Sequence, residues 1–264
     1  MKIMKKIAAV TIAAAALFAF AGCSDADDPN EMINGSNKVY TIDYTNESKD
    51  ISRGYHSTAY KHAGAAVQLD FENVSKNVNA GVMGLIFDLE EKDGVKSFNV
   101  IGVKTNNANG ELGYYVSRFE NVTDIQAENF GTELKENPAK ETVYVTAFAK
   151  AKGVKDAEKD TITVYAYAIE KLNESSKKYE YKVYLLYADR QIGKLDKDGN
   201  LVAEDGTAID LSGVEPVATI PTEYTGSQPT QRKLAVYANV YAGKTLKGTW
   251  TYRGDYKEVG VDED

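Results

Sequence analysis

The sequence predicts an all-β fold built from antiparallel sheets, and three observations lead to this prediction. Apolar and polar residues alternate with period two over several stretches, as side chains on the two faces of a β-strand do. These stretches are rich in Tyr, Val and Thr, the residue types that favour strands. No segment shows helical periodicity over more than two turns, so the crossover helices of a parallel sheet are not expected.

Five segments in the second half of the chain alternate most strictly. They cover residues 143–149, 162–168, 179–187, 234–240 and 246–252. In the third segment, Tyr179, Tyr181 and Val183 share one face, and Glu180 and Lys182 lie on the other. Each segment is therefore expected to form a strand with two chemically distinct faces.

Strands in the first half alternate less strictly. Residues 81–89 are apolar on both faces, which predicts a central strand. Strands at 97–104 and 112–119 should follow, through hairpin loops rich in Asp, Asn and Gly. Further expected elements are strands at 39–44 and 65–71, short strands around the Asp-Gly turns of 193–211, and a short helix or ordered loop at 121–140.

A sandwich of two sheets would bury the apolar strand faces, and a closed β-barrel is the alternative. The segment 80–131 carries an apolar strand ending in Phe87-Asp88, then Phe98-Asn99-Val100-Ile101-Gly102-Val103, then Tyr114-Tyr115-Val116-Ser117. This order of strands resembles a concanavalin-like, laminin-G-type sandwich of the jelly-roll kind, over about a fifth of the chain. The resemblance implies a binding domain, with ligand on a concave sheet face or on the rim loops.

The amino terminus has the layout of a secretory signal. Lys2, Lys5 and Lys6 precede an apolar run over residues 7–20, which is too short to span a bilayer. The run ends in Ala21-Gly22-Cys23 and is followed at once by polar, acidic residues. This segment resembles the lipobox of bacterial lipoproteins, with Phe20 where an aliphatic residue is usual. The resemblance implies cleavage before Cys23, lipid (palmitate) on that residue and a place in the cell envelope.

We therefore expect a signal peptide at 1–22, a lipidated flexible tether at 23–37, one β-sandwich domain at 38–258 and an acidic tail at 259–264. Cys23 is the only cysteine, so the domain should fold without disulfides. Loss of three signal-peptide lysines from the 31 basic residues leaves 28 against 39 acidic residues, a net charge near −11. Nucleic acid is therefore not an expected partner, and the lipid on Cys23 would provide membrane attachment.

Few residues point to enzymatic or metal chemistry. His56 and His62 would lie about 20 Å apart in an extended chain, too far for one metal ion. The chain has no Gly-x-Ser-x-Gly elbow and no Glu-x-Asp-x-Glu run of the kind found in sandwich-fold glucanases. Residues 196–200 superficially resemble a calcium loop but fit a hairpin turn better. No cofactor is predicted, while a structural calcium ion and a glycosidase-like carboxylate pair stay open.

Polar and aromatic residues within the strands are the candidate ligand contacts. In simple hairpins, Asp88 and Arg118 would lie on one face, two strands and about 10 Å apart, as an ion pair or beside a ligand. Eighteen tyrosines and one tryptophan suit a surface that stacks on sugars or contacts a protein. The predicted ligand-binding residues are Asp88, Tyr114, Tyr115, Arg118, Trp250 and Tyr252.

These observations favour a lipid-anchored, non-enzymatic binding protein of the cell envelope, with a glycan or a host or surface protein as ligand. A hydrolase or lyase that acts on polysaccharide through paired carboxylates is one alternative. A structural component of the envelope is the other. The choice of membrane and leaflet stays open.

The anchor leads to a direct test. Cys23→Ser removes the thiol that would carry lipid, so the protein should appear in soluble fractions or accumulate as its precursor. Membrane fractionation with a high-salt wash, together with the apparent mass, measures this. A variant that stays with the membranes at wild-type size would contradict the prediction.

Overall fold

The computed structural model describes residues 39–61, 64–122, 140–186, 193–196, 198–223, 232–254 and 257–258. These residues form strands joined by turns and contain no α-helix. The strands are β1 (Val39–Thr45), β2 (Ser52–Lys61), β3 (Gly64–Glu72), β4 (Gly81–Lys92), β5 (Val95–Thr105), β6 (Glu111–Val122), β7 (Glu141–Val143), β8 (Ala149–Lys152), β9 (Val154–Asp156), β10 (Thr161–Asn173), β11 (Lys178–Leu186), β12 (Lys194–Leu195), β13 (Leu201–Val202), β14 (Ala218–Pro221), β15 (Arg232–Val240), β16 (Thr245–Tyr252) and β17 (Lys257–Glu258).

The strands form two antiparallel sheets. The eight-stranded sheet has the order β17-β2-β15-β4-β5-β6-β7, with β8 also paired to β6. The seven-stranded sheet has the order β1-β16-β3-β10-β11-β14, with β9 also paired to β10. Each sheet is open at both edges and the two share one core, so the predicted antiparallel sandwich is confirmed and the barrel alternative is wrong. No helix in the described part of the chain is long and apolar enough to cross a bilayer.

The core lies between the inward faces of the two sheets. Strand β16 shows how alternation builds it: Leu246, Trp250 and Tyr252 point inward, and the residues between them are half-buried on the other face. Trp250 is completely buried, and its indole Nε1 donates a hydrogen bond to the Gly84 carbonyl oxygen at 2.9 Å. Because Gly84 lies on β4 of the opposite sheet, this bond joins the two layers while satisfying the polar atom of the buried indole.

Two glycines in the eight-stranded sheet allow aromatic rings to approach its backbone closely. Gly84 and Gly102 are cross-strand neighbours, flanked in register by Tyr237 and Tyr115. A Cβ on Gly102 would lie 2.3 Å from Cε1 of Tyr115, so no larger residue fits beneath that ring. The two tyrosine hydroxyls are 3.0 Å apart and hydrogen-bond each other across the glycine pair.

The outer face of the seven-stranded sheet divides into an apolar part and a polar part. At the apolar end, Tyr167 and Leu186 pack against Leu195 and Leu201 of the β12–β13 hairpin. The Tyr167 hydroxyl donates a hydrogen bond to the Gly193 carbonyl oxygen at 2.9 Å, and burial raises the pKa of this tyrosine to about 12. The hairpin therefore covers this end of the face, and among the described residues it does not extend over the polar part.

Most of the predicted strands are confirmed. β4 lies in the middle of its sheet and is buried from Gly81 through Leu89, as its two apolar faces predicted. The β4–β5 hairpin closes through Asp93 and Gly94, both with positive φ, and 106–110 link β5 to β6. The turn after β12 is closed by the Gly199 amide, which donates to the Asp196 carbonyl oxygen.

The predicted single strand at 143–149 is wrong. The chain leaves the edge of β6 after β7 and rejoins it at β8, so two short strands replace one. The amides of Tyr144 and Val145 both point to the Val116 carbonyl oxygen, and Phe148 adopts a φ of 56°. This excursion brings the Phe148 ring against Tyr115, with 5.5 Å between the two ring centroids.

Four strands, β2, β9, β14 and β17, were not predicted, and several predictions lie outside the described residues. β9 and β17 have only three and two residues. β2 is rich in polar residues and β14 has only four residues, so neither gives a clear period-two signal. The signal peptide, Cys23, the tether, His62 and the tail at 259–264 fall outside the described part of the chain, as do residues 123–139 of the predicted helix or loop.

The bond between the sheets leads to a test of stability. Trp250→Phe removes the indole N–H and leaves unfilled volume, so we expect the free energy of unfolding to fall by about 2–4 kcal/mol. Thr251→Val, on the other face of the same strand, should change it by less than about 0.5 kcal/mol. Urea unfolding followed by far-ultraviolet circular dichroism measures both variants. Equal stability of the two would show that the indole does not hold the sheets together.

Candidate ligand-binding cleft

A polar cleft of about 660 Å³ lies on the outer face of the seven-stranded sheet. Strands β16, β3, β10 and β9 form its floor and one side. On β3, Leu69 and Phe71 point into the core, so the alternating residues Gln68, Asp70 and Glu72 point into the cleft. The alternation that builds the core therefore also builds the cleft.

The strand register sets the polar side chains in rows across the cleft. In the middle row, Thr249 of β16 and Thr163 of β10 stand opposite Asp70 on its two sides. Neighbouring strands are about 4.8 Å apart, which is within hydrogen-bonding reach for short side chains. Each hydroxyl in this row therefore lies next to the central carboxylate.

Asp70 is held by three hydrogen bonds. Thr163 Oγ1 donates to Oδ1 in a short contact, Gln68 Nε2 donates to Oδ2 at 2.7 Å, and Thr249 Oγ1 donates to Oδ2 at 3.4 Å. A carboxylate accepts about four hydrogen bonds, so about one acceptor position remains for a ligand. Burial raises the pKa of the neighbouring Tyr165, and the negative charge of Asp70 raises it further.

The other two carboxylates that line the cleft have basic partners. Lys247 Nζ lies 3.7 Å from Glu72 and 3.3 Å from Asp43, and its hydrogen bond to Asp43 raises the pKa of the lysine. Lys159 Nζ lies 3.1 Å from Asp156, whose pKa is lowered chiefly by the hydrogen bond from the Lys159 backbone amide. Asp70 forms no ion pair with a lysine or arginine among the described residues.

The cleft is suited to hydrogen bonding with an extended polar ligand. Carboxylate and amide oxygens accept hydrogen bonds, and threonine hydroxyls both donate and accept them. The described residues contain no group of three His, Cys, Asp or Glu side chains that could hold a metal ion. The polar groups of the cleft are instead spread along the strands.

The structure brings together the two charged residues that the sequence singled out. Asp88 is buried in a bulge of β4 with a φ of 53°, and Arg118 Nη1 lies 3.8 Å from its Oδ2. The register differs from simple hairpins by one residue, because Asn99 rather than Phe98 pairs with Arg118. Because β4 is bulged between Phe87 and Glu90, Asp88 still lies close to Arg118 despite this shift in register. Ligand binding by this pair stays a prediction.

The aromatic candidates do not form one surface. Trp250 and Tyr252 are completely buried between the sheets, so the prediction that they present an exposed face is wrong. Tyr114 is half-buried against the core, while Tyr115 is half-buried on the outer face beside Phe148. Adjacent residues of a strand point to opposite faces, so Tyr114 and Tyr115 cannot contact the same ligand side by side. Their separate roles in binding stay predictions.

The sequence contained a signal for the cleft that the prediction missed. Gln68-Leu69-Asp70-Phe71-Glu72 alternates polar and apolar residues over one strand, as does the Thr-x-Thr pattern at 161–163 and 249–251. Each pattern indicates an outward polar row. That the three strands are neighbours does not follow from the patterns, because Asp70 is 93 residues from Thr163 and 179 from Thr249.

Comparison with known proteins shows no family for this chain. No protein-family model matches it, and no curated protein matches it. Among solved structures, the CBM2 module of the evolved Dit of Lactobacillus casei BL23 phage J-1 is similar at 7% identity and a TM-score of 0.30, over 88% of this chain and 76% of that one. The β-porphyranase BpGH16B of the human gut bacterium Bacteroides plebeius is similar at 9% identity and a TM-score of 0.23, over 85% and 68% of the two chains. With TM-scores this low, neither similarity carries weight for the function.

Proposed function

We propose that this chain is a non-enzymatic, lipid-anchored binding protein of the cell envelope, and that its ligand is a glycan bound in the cleft. The observation that carries the proposal is the environment of Asp70. Its carboxylate is fixed by Gln68, Thr163 and Thr249 in a cleft whose lining residues are mostly polar. Such a preorganised acceptor favours a ligand that presents many hydroxyl donors at fixed spacing.

The dimensions of the cleft support a sugar ligand. Its volume of about 660 Å³ falls within the range of small-molecule sites. Successive rows of side chains lie about 7 Å apart along a strand and about 5 Å apart between strands, spacings close to the size of a sugar ring.

The same residues favour binding over hydrolysis. Glycoside hydrolysis generally needs two carboxyl groups on opposite sides of the scissile bond. The outward row of β3 reads Gln-x-Asp-x-Glu, so an amide stands where the glucanase run has its first carboxylate. The remaining pair, Asp70 and Glu72, lies side by side on one strand, and both oxygens of Asp70 already accept hydrogen bonds. The first carboxylate of the glucanase run is therefore missing, and this favours binding over hydrolysis.

The anchoring half of the proposal rests on the sequence of residues 1–37. A lipid on Cys23 would attach the protein, and the acidic tether would separate the cleft from the membrane. A cell-envelope glycan would then be within reach of a domain that cannot diffuse away.

A glycan array screened with residues 24–264 tests the binding proposal. Asp70→Asn removes the charge and turns a donor toward Thr163 or Gln68, so we expect affinity for any bound glycan to fall about ten- to a hundredfold. Asp88→Asn, at the site on the other sheet predicted from the sequence, is the matched control and should bind normally. Thermal unfolding of both variants separates lost affinity from lost folding.

Two outcomes would contradict this function. A loss of binding in Asp88→Asn but not in Asp70→Asn would move the site to the eight-stranded sheet. Release of shorter sugars from a bound glycan would show turnover, and with it the hydrolase or lyase function.

A further inference from the structure

We infer that the cleft selects glycans by charge: it prefers amino sugars with a free, protonated amine and rejects uronic acids and sulfated sugars. This inference rests on the proposed function, since it names the class of glycan that the same cleft binds.

The charges of the cleft carry the inference. Its lining includes the carboxylates of Asp70, Glu72 and Asp156 and only one basic side chain, that of Lys159. Lys159 is paired with Asp156, and Lys247 lies between Glu72 and Asp43. Both lysines are therefore already neutralised by carboxylates, and the described residues that line the cleft include no further basic side chain for an anionic ligand. The whole chain carries a net charge of −8, which adds to the negative potential.

Asp70 is the group that would distinguish an amine from a hydroxyl. All three of its hydrogen bonds come from neutral donors, so its charge has no positive partner among the described residues. An ammonium group at the remaining acceptor position would form a charge-assisted hydrogen bond, which is stronger than the bond from a hydroxyl. A carboxylate or sulfate at the same place would be repelled by the negative charge of Asp70.

The carboxylates do not form a cation site instead. Asp70 and Glu72 are two residues apart on one strand, about 7 Å between backbones, and Asp156 stands two strands from Glu72, about 10 Å away. Ligands of one metal ion must all lie within about 2–3 Å of it. The negative groups are thus distributed along the cleft, and their complement is a ligand with distributed donors.

Matched monosaccharides test the inference with few other variables. Glucosamine differs from glucose only at C2 and glucuronate differs from glucose only at C6, and galactosamine and galacturonate differ from galactose at the same two positions. Binding is measured by NMR titration of residues 24–264. We expect the amino sugar of at least one series to bind about three- to tenfold more tightly than the neutral sugar, with the uronate weakest. Added salt should reduce the advantage of the amine and leave the neutral sugar unchanged.

Variants assign the preference to the cleft. Asp70→Asn weakens binding of every sugar and should leave the amino and neutral sugars equally weak, and Glu72→Gln, which disturbs fewer internal hydrogen bonds, should reduce the preference for the amine. The control is Glu174→Gln, an exposed carboxylate in the turn at the far end of β10, about 30 Å along the strand from Tyr165 of the cleft. It removes the same charge from the chain and should change nothing.

The outcomes separate this inference from the proposed function. Equal binding of the amino and neutral sugars, tighter binding of the uronate, or a preference that survives both Asp70→Asn and Glu72→Gln overturns the charge selection. Absence of binding by all six sugars also overturns it. In each case, Asp70-dependent binding of neutral glycans on the array would still support the proposed function.

Discussion

The packing of the two sheets around Trp250 is the constraint on which the rest of the structure depends. The indole fills the space between the layers and is bonded to Gly84 of the opposite sheet, so both inward faces belong to the core. Side chains alternate along each strand, and fixing Trp250 inward therefore fixes Thr249 outward. The same holds on β3, where buried Leu69 and Phe71 set Asp70 outward. The residues that pack inward to form the core therefore determine which residues point outward and line the cleft.

The middle row of the cleft exists only in the folded chain. Thr249, Asp70 and Thr163 come from β16, β3 and β10, which are far apart in the sequence, and the ladders β16–β3 and β3–β10 bring them together. Their hydrogen bonds compensate for the cost of half-burying a carboxylate among strands. An aspartate supported in this way is held in one orientation before a ligand arrives, and little further ordering is needed on binding.

Sequence patterns predicted individual strands and contacts between consecutive strands. They missed contacts between strands that are far apart in the sequence. Period-two alternation located β10, β11, β15 and β16, and the doubly apolar segment located β4 at the centre of its sheet. Alternation sorts residues into two faces but does not say which face is buried, so Trp250 and Tyr252 were assigned to a binding surface although they belong to the core. Pairing between β3, β10 and β16 depends on the whole topology, and the site built on it was therefore not found. The Asp88–Arg118 contact was found because sequential hairpins join their strands.

The central claim is that the outer face of β16, β3 and β10 is the ligand surface. A two-dimensional amide NMR spectrum of residues 24–264, titrated with a mixture of neutral and amino oligosaccharides, tests it most directly. The structure predicts that the largest shift changes cluster at Gln68, Asp70, Thr163, Tyr165 and Thr249, with Trp250 moving little. Changes centred on Asp88, Arg118 and Tyr115, or no changes at saturating sugar, would contradict the claim.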